Sequence, residues 1–298
     1  MDAPLLSRRE WLSTSGAVLA GAALRIPSSR AHITLDDLVQ NPRGGYRFLP
    51  GVPFLSFGVV ADNGFEIART TFRQARPFPA GLGDIAALLQ IAGRPIHALC
   101  GLELRSPRPL SQAEFISFNQ AYVSQLRRAG LLVGGQVPIT RTNVAFTGTK
   151  SDEPELSIHA FSYATPTARR EREPAPSFVL AGMPEIRNLQ RAASGEPVDI
   201  VARYDTTPAG LPTASALRLK TEFILRAVDE TMRTCGVQWT DVTGVQLYTV
   251  HDVQPLVASL ILPRIGAAAR LGIEWHHTYP PGIQVEIGVR GVSREVIA

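Results

Sequence analysis

"GIEWHHTYPPGIQVEIGVRG", residues 272–291, sets two strand-like runs on either side of a Pro-Pro-Gly stretch. The runs are "IEWHHTY" (273–279) and "IQVEIGVRG" (283–291), so the sequence predicts a closing hairpin over Pro280-Pro281-Gly282. In the second run Gln284, Glu286, Gly288 and Arg290 fall on one face, and Val285, Ile287 and Val289 on the other. The apolar face belongs to a core. Glu286 therefore looks into a cleft, or out to solvent beside Arg290 or Arg294. In a cleft, partial burial would raise its pKa toward the range where a carboxyl donates and accepts protons near neutrality. His276 and His277 are adjacent and point to opposite faces, which makes a shared metal ion unfavourable. No cluster of Asp, His or Cys with ligand spacing accompanies them, and no metal is expected. His276 shares a face with Glu274 and Thr278 and is the pocket candidate of the two. His277 goes with Trp275 and Tyr279.

Upstream, "DVQPLVASLILPRIGAAARLG" (252–272) contains a helix interrupted near Pro263, and "VTGVQLYTV" (242–250) is a buried strand. "ASALRLKTEFILRAVDETMRTCG" (214–236) is the longest helix, with Leu217, Thr221, Ile224, Val228 and Met232 on one side. Gly236 can end it in the left-handed conformation. "SFVLAGMP" (177–184) and "VDIVARYD" (198–205) read as strands. The same order appears earlier. "FLSFGVVA" (54–61) and "EIARTTF" (66–72) are strands, "GDIAALLQIAG" (83–93) a helix, and "IHALCGLELR" (96–105) a buried strand. "SQAEFISFNQAYVSQLRRAG" (111–130) is a helix with a Ser111/Glu114 capping box. "ITRTNVAF" (139–146) and "ELSIHAFSYA" (155–164) close this half. Between the halves, "TPTARREREPAP" (165–176) is charged, bracketed by proline and without period, as a linker would be.

The N-terminus reads "SRREWL" (7–12), then the apolar "STSGAVLAGAAL" (13–24), then "RIPSSRA" ending at Ala31. Twin arginines, a moderate apolar stretch and a small-x-small end describe a twin-arginine (Tat) export signal over residues 1–31. The expected mature protein is periplasmic, with no membrane association after signal removal. Hydrophobic residues make up 45% and charged residues 19%, which excludes a disordered chain. Net charge is +4 and the basic residues are nearly all arginine, with no basic run interleaved with aromatics, so nucleic acid is not an expected partner. Cys100 and Cys235 lie outside any Cys-x-x-Cys arrangement, and Cys100 reads as buried packing. There is no G-x-S-x-G, P-loop or H-E-x-x-H, and no dinucleotide fingerprint. No cofactor is expected.

Strand, helix, strand and then "YPPGIQVEIGVRG" resembles the RidA/YjgF family of imine and enamine deaminases. The resemblance covers residues 177–292 clearly and 50–164 loosely. It implies chorismate-mutase-type αβ modules that assemble as trimers with sites in the clefts between modules. Glu286 matches the glutamate that the family carries on its last strand. A tandem pair is also similar in layout to the chorismatases, in which "LAGMPEI" (180–186) and the last-strand glutamate have counterparts. Deaminating members carry an arginine at the start of the penultimate strand, where it grips the substrate carboxylate. Arg141 of "PITRTNVAF" (138–146) stands in that place in the first half. In the second half the place falls near Gly272, and Arg270 comes two residues early. The first half offers His159 or Ser157 where its glutamate would be. Arginine and glutamate are thus split between the halves, through separate decay or because one composite site uses both.

The expected fold is α+β, with two tandem RidA-like modules, each a mixed sheet with two helices on one face. Residues 32–164 form the N-terminal module and 177–298 the C-terminal one, assembled as a homotrimer. The expected activity is cofactor-independent hydrolysis or deamination of a small unsaturated carboxylate. Glu286 and His276 are the candidate catalytic residues. Arg141, Arg203, Arg270 and Tyr279 are the candidate substrate contacts, guanidinium being suited to bidentate binding of a carboxylate. Arg203 is included because "VARYDTTPAG" places it where a strand gives way to a Gly/Pro loop. Chorismatase-like hydrolysis of an enol ether and non-catalytic binding of a small molecule are the alternatives.

Overall fold

A computed structural model describes residues 38–146, 156–167, 175–193, 196–267, 272–279 and 283–298. The export signal, most of the linker, Arg270 and the Pro-Pro-Gly stretch lie outside the described residues. In chain order the first half runs β1 (Val39–Asn41), β2 (Tyr46–Val52), β3 (Leu55–Ala61), β4 (Phe65–Pro77), α1 (Gly81–Ile91), β5 (Leu99–Ser106), α2 (Gln112–Arg128), β6 (Thr140–Phe146) and β7 (Ser157–Pro166). The second half runs β8 (Phe178–Leu180), β9 (Met183–Pro184), α3 (Leu189–Ala193), α4 (Ala214–Thr234), β10 (Gly244–Tyr248), α5 (Gln254–Leu256) continued by a π-turn over Val257–Ile261, β11 (Ile273–His276), β12 (Thr278–Tyr279), β13 (Glu286–Gly291) and β14 (Arg294–Ile297).

The architecture is α+β with two mixed sheets. The eight-stranded sheet has the order β1-β2-β3-β8-β13-β10-β11, with β9 also on β13, and the six-stranded sheet β12-β6-β5-β7-β4-β14. Each sheet takes strands from both halves of the chain. β3 pairs with β8, carrying β1–β3 onto the second half, while β12 pairs with β6 and β14 with β4. One face of each sheet is covered by helices. Leu217, Ile224, Val228 and Met232 of α4 pack on Val245, Leu247, Ile287 and Val289. Tyr122 and Leu126 of α2, with Ile85 and Leu89 of α1, pack on Leu102, Leu104 and Phe161.

Local signals behave as their chemistry requires. The Ser111 hydroxyl accepts from Glu114 N, and the Glu114 carboxylate accepts from Ser111 N at 2.8 Å. The Thr213 hydroxyl caps α4 by accepting from Ala216 N at 3.0 Å, and Gly236 ends α4 at φ +67°. Cys100 and Cys235 are both buried and free.

Two expectations change. Residues 273–279 and 283–291 do not pair as a hairpin. β11 and β13 lie on opposite edges of β10, parallel and antiparallel to it, and β12 leaves for the other sheet. The α5 crossover returns the chain parallel to β10, so the local Pro-Pro-Gly signal loses to a non-local pairing. "VDIVARYD" is not a strand. Apart from an isolated bridge between Ile186 and Ile200 it turns, with Ala202 at φ 48°. The buried Lys220 ammonium donates to Val201 O at 2.7 Å and occupies a carbonyl that a ladder would use.

The uncovered faces of the two sheets pack on each other. One part of this layer is apolar, built from Tyr46, Phe48, Val59, Ile67, Cys100 and Ala164. The other part is charged. Arg69 donates to both oxygens of Glu103, at 2.6 and 2.9 Å, and Gln246 reaches Glu103 from the opposite sheet at 3.1 Å. Arg290 pairs with Glu274 and with Glu295, the latter at 2.7 Å. The pull of Arg69 outweighs the burial that opposes ionisation, and holds the Glu103 carboxyl far below the usual carboxylate range. Glu103→Ala would leave the buried Arg69 without its bidentate partner. The expected loss in urea denaturation is about 3–5 kcal/mol.

Candidate active site between the two sheets

The site grows from the strand register. Glu286 is opposite Tyr248, Gly288 opposite Gln246 and Arg290 opposite Gly244, while β11 sets His276 beside Tyr248 and Glu274 beside Gln246. Side chains alternate along a strand, so Glu286, Tyr248 and His276 share the face that looks at the six-stranded sheet. From that sheet the Arg105 guanidinium lies 5.7 Å from the Tyr248 ring centroid. The His276 ring stacks on Tyr248 at 4.8 Å, and its Nε2 is 3.2 Å from Glu274 Oε2.

Glu286 is buried at 8% exposure. Burial pushes its pKa up to about 8; the Arg141 charge pulls down against this, Glu185 pushes up, and Arg105 pulls down. Glu185 is fully buried and fixes the start of β13. Its carboxylate accepts from Gln284 N at 2.6 Å, from Val285 N at 3.1 Å and from Lys220 Nζ at 3.2 Å. Gly182 makes room for the Glu286 carboxyl, since a Cβ placed there would lie 2.6 Å from the carboxyl carbon. Gly182→Ala is expected to displace Glu286 and to cost about 1–3 kcal/mol, with a loss of any activity that uses Glu286 beyond what the lost stability explains. Thermal melting beside an activity assay separates the two effects.

Arg141 comes from the other half of the chain. Its guanidinium is buried against the rings of Tyr122, Phe118 and Phe54, at 4.7, 5.0 and 5.0 Å, and donates to Asn119 Oδ1 at 2.7 Å. Burial lowers its pKa to about 10, so it stays charged at neutrality, and Glu286 acts on it in return. The start of β3 joins the two regions. Ser56 N donates to Ile139 O at 3.1 Å on the β6 side, and Phe57 O accepts from Ala181 N at 2.9 Å next to Gly182. Several buried polar atoms have no hydrogen-bond partner among the described residues. They include Arg141 Nη1, Arg105 Nη2, Tyr248 OH and Thr142 Oγ1. A cavity between the sheets is lined by Glu103, Arg141, Thr142, Gln246 and Arg290, among others.

Of the residues singled out from sequence, Glu286, Arg141 and His276 are therefore brought to one region. The Glu286–Arg290 pairing does not form, because Arg290 is taken by Glu274 and Glu295. Arg203 is elsewhere. It donates to Val198 O at 3.4 Å and lies 5.9 Å from the Tyr204 ring centroid, and none of its described contacts reaches Glu286. The Tyr279 backbone pairs with Ala145; its side chain, like Arg270, lies outside the described residues. His159 sits near Arg105 and Glu103, where burial and the Arg105 charge lower its pKa to about 4. Sequence reasoning missed Arg105, Tyr248 and Glu185. The available signal was alternation: Glu103 and Arg105 interleave with Leu102 and Leu104, and Gln246 and Tyr248 with Val245 and Leu247.

The arrangement can deliver a proton from a neutral carboxyl, beside two arginines with N–H groups that make no hydrogen bond among the described residues. A family model described as 2-aminomuconate deaminase CnbZ matches residues 38–296. A 2-amino-5-chloromuconate deaminase from Comamonas testosteroni is 37% identical over 264 residues, 88% of this chain and 99% of that protein. Among solved structures, a chorismatase is similar at a TM-score of 0.41 and 14% identity, over 82% of this chain and 79% of that one. With the match running from the first described strand to the last, the chain belongs to the 2-aminomuconate deaminase CnbZ family.

Proposed function

We propose that this protein is a cofactor-independent deaminase of 2-amino-dienedioates, the class to which 2-aminomuconate and its 5-chloro derivative belong. The observation that carries the reading is Glu286, a buried acid with a pKa near 8, acted on by Arg141, which has an N–H without a hydrogen-bond partner among the described residues, and by Arg105, whose Nη2 has only the Glu103 carboxylate at 3.9 Å. Such a substrate is an enamine with a carboxylate at each end. The two arginines take the carboxylates. The protonated Glu286 gives its proton to a carbon of the diene conjugated with the amino group, which leaves an iminium ion and a Glu286 carboxylate. Water adds to the iminium carbon while Glu286 takes a proton from it, forming a carbinolamine. Loss of ammonia from that carbinolamine gives the 2-oxo acid, and Glu286 ends in its starting form.

The RidA-like description of the site, as one composite of an arginine and a glutamate from two modules, belongs to this proposal. So do export and assembly as a homotrimer. Ser7–Leu12 and the small-x-small end at Ala31 support export; the resemblance to a trimeric family supports the assembly. The test is ammonia release from freshly generated 2-aminomuconate by the purified protein. Release by the wild type and not by Glu286→Gln supports the reading. No release by the wild type sinks it.

A further inference from the structure

Carbinolamine breakdown sets a requirement that Glu286 and two carboxylate clamps do not meet alone. The nitrogen leaves as ammonia only if it is protonated as the C–N bond breaks, while the carbinol oxygen loses a proton. A second proton carrier next to Glu286 would do both in one passage. Tyr248 occupies that position. It is the cross-strand partner of Glu286, on the same face. Its side chain is fully buried, and its hydroxyl faces the Thr142 hydroxyl, which lines the cavity between the sheets, without reaching good hydrogen-bond geometry. A buried hydroxyl with so poorly aligned a partner adds little to the fold, and phenylalanine would fill the same space at little cost. The ring itself is held by the stacked His276 and by the nearby Arg105 guanidinium. That fixes where the hydroxyl points, beside Thr142 and able to turn its proton to a ligand.

Resting on the deaminase reading, we infer that Tyr248 is a catalytic residue, the proton carrier that releases ammonia from the carbinolamine. The Tyr248 O–H proton passes to the substrate nitrogen as the C–N electron pair moves onto that nitrogen. The Glu286 carboxyl proton passes to the Tyr248 oxygen. The carbinol O–H proton passes to the Glu286 carboxylate as the C=O bond forms. The products are the 2-oxo acid and ammonia, and both side chains end as they began. The phenol has no need to ionise. This suits its surroundings, since burial above all, with the Glu103 charge, pushes Tyr248 far above the usual phenol range.

The experiment uses the full chain and Tyr248→Phe with freshly generated 2-aminomuconate in D2O. It follows ammonia release, the deuterium content of recovered substrate, and thermal melting. The expected result is a fall in kcat of about 10²-fold, with KM within about threefold of wild type and a melting temperature close to that of wild type. Deuterium should still enter the recovered substrate, because Glu286 continues to protonate the diene reversibly. Glu286→Gln should lose exchange and release together. Wild-type kcat in Tyr248→Phe would overturn the inference and leave the deaminase reading standing. Equal loss of exchange and release in Tyr248→Phe would also overturn it, as a merely structural role predicts that outcome. A wild-type protein that releases no ammonia overturns both.

Discussion

The Glu286→Gln variant is expected to lower kcat for ammonia release about 10³-fold, while leaving substrate affinity within a few-fold. Glutamine keeps the shape of the side chain and its place beside Gly182, but it has no proton to give to carbon. In the wild type, kcat/KM should be level through neutrality and fall above about pH 8, where Glu286 ionises. The same residue makes a stability prediction of definite sign. In the unfolded chain Glu286 ionises from its ordinary value of 4.5 upward, while in the folded protein burial delays ionisation to about 8. Below 4.5 both states are protonated and the residue is neutral to stability. As the pH rises through this window, the unfolded state gains a charge that the folded state refuses, and the wild type loses stability. Glutamine does not titrate. The stability gap in favour of Glu286→Gln should therefore widen from pH 5 to pH 8, by roughly 4 kcal/mol at most. Denaturant titrations of both proteins at the two pH values measure it. A variant that loses activity and gains alkaline stability is what an acid held in a costly buried position predicts.

Arg141→Met and Arg105→Met are each expected to raise KM for a dienedioate by about 10²-fold, with a smaller effect on kcat. The loss is that of a charge-assisted contact to one carboxylate, made in the ground state and the transition state alike. A mono-acid enamine, lacking one carboxylate, should be handled poorly by the wild type and should suffer less from one of the two substitutions. The arginines also act on Glu286. Burial raises its pKa, and Arg141 is the larger of the two charges pulling it back down. Without Arg141 the alkaline limb of kcat/KM should move to higher pH, and further than it does without Arg105. A general loss of structure would not move that limb in an ordered way.

How much was legible in the sequence depended on whether the signal was local. The Ser111/Glu114 capping box and the end of α4 at Gly236 were readable, because each is settled within one helical turn. Glu286 was readable as one acid among alternating apolar residues, and Arg141 through the resemblance to a family that uses such an arginine. The hairpin expected over residues 273–291 failed because sheet pairing is non-local. β10 was a better partner for both runs than either was for the other. Arg105 and Tyr248 escaped because "GLELR" and "VQLY" look buried on both faces, and burial was equated with apolar packing. In the folded chain one face of each strand meets helices and the other meets the polar layer between the sheets. Arg203 was chosen for lying in a loop at a strand end, but no strand forms there, and the loop is organised by Lys220 and Asp205 instead.

The central claim is that Glu286 carries a proton at neutral pH. Difference infrared spectroscopy of wild type against Glu286→Gln, recorded across pH, reads that proton directly. The account predicts a protonated-carboxyl C=O band in the wild type at pH 7 that titrates away near pH 8. Loss of that band by pH 5, with only the carboxylate seen at neutrality, would contradict it.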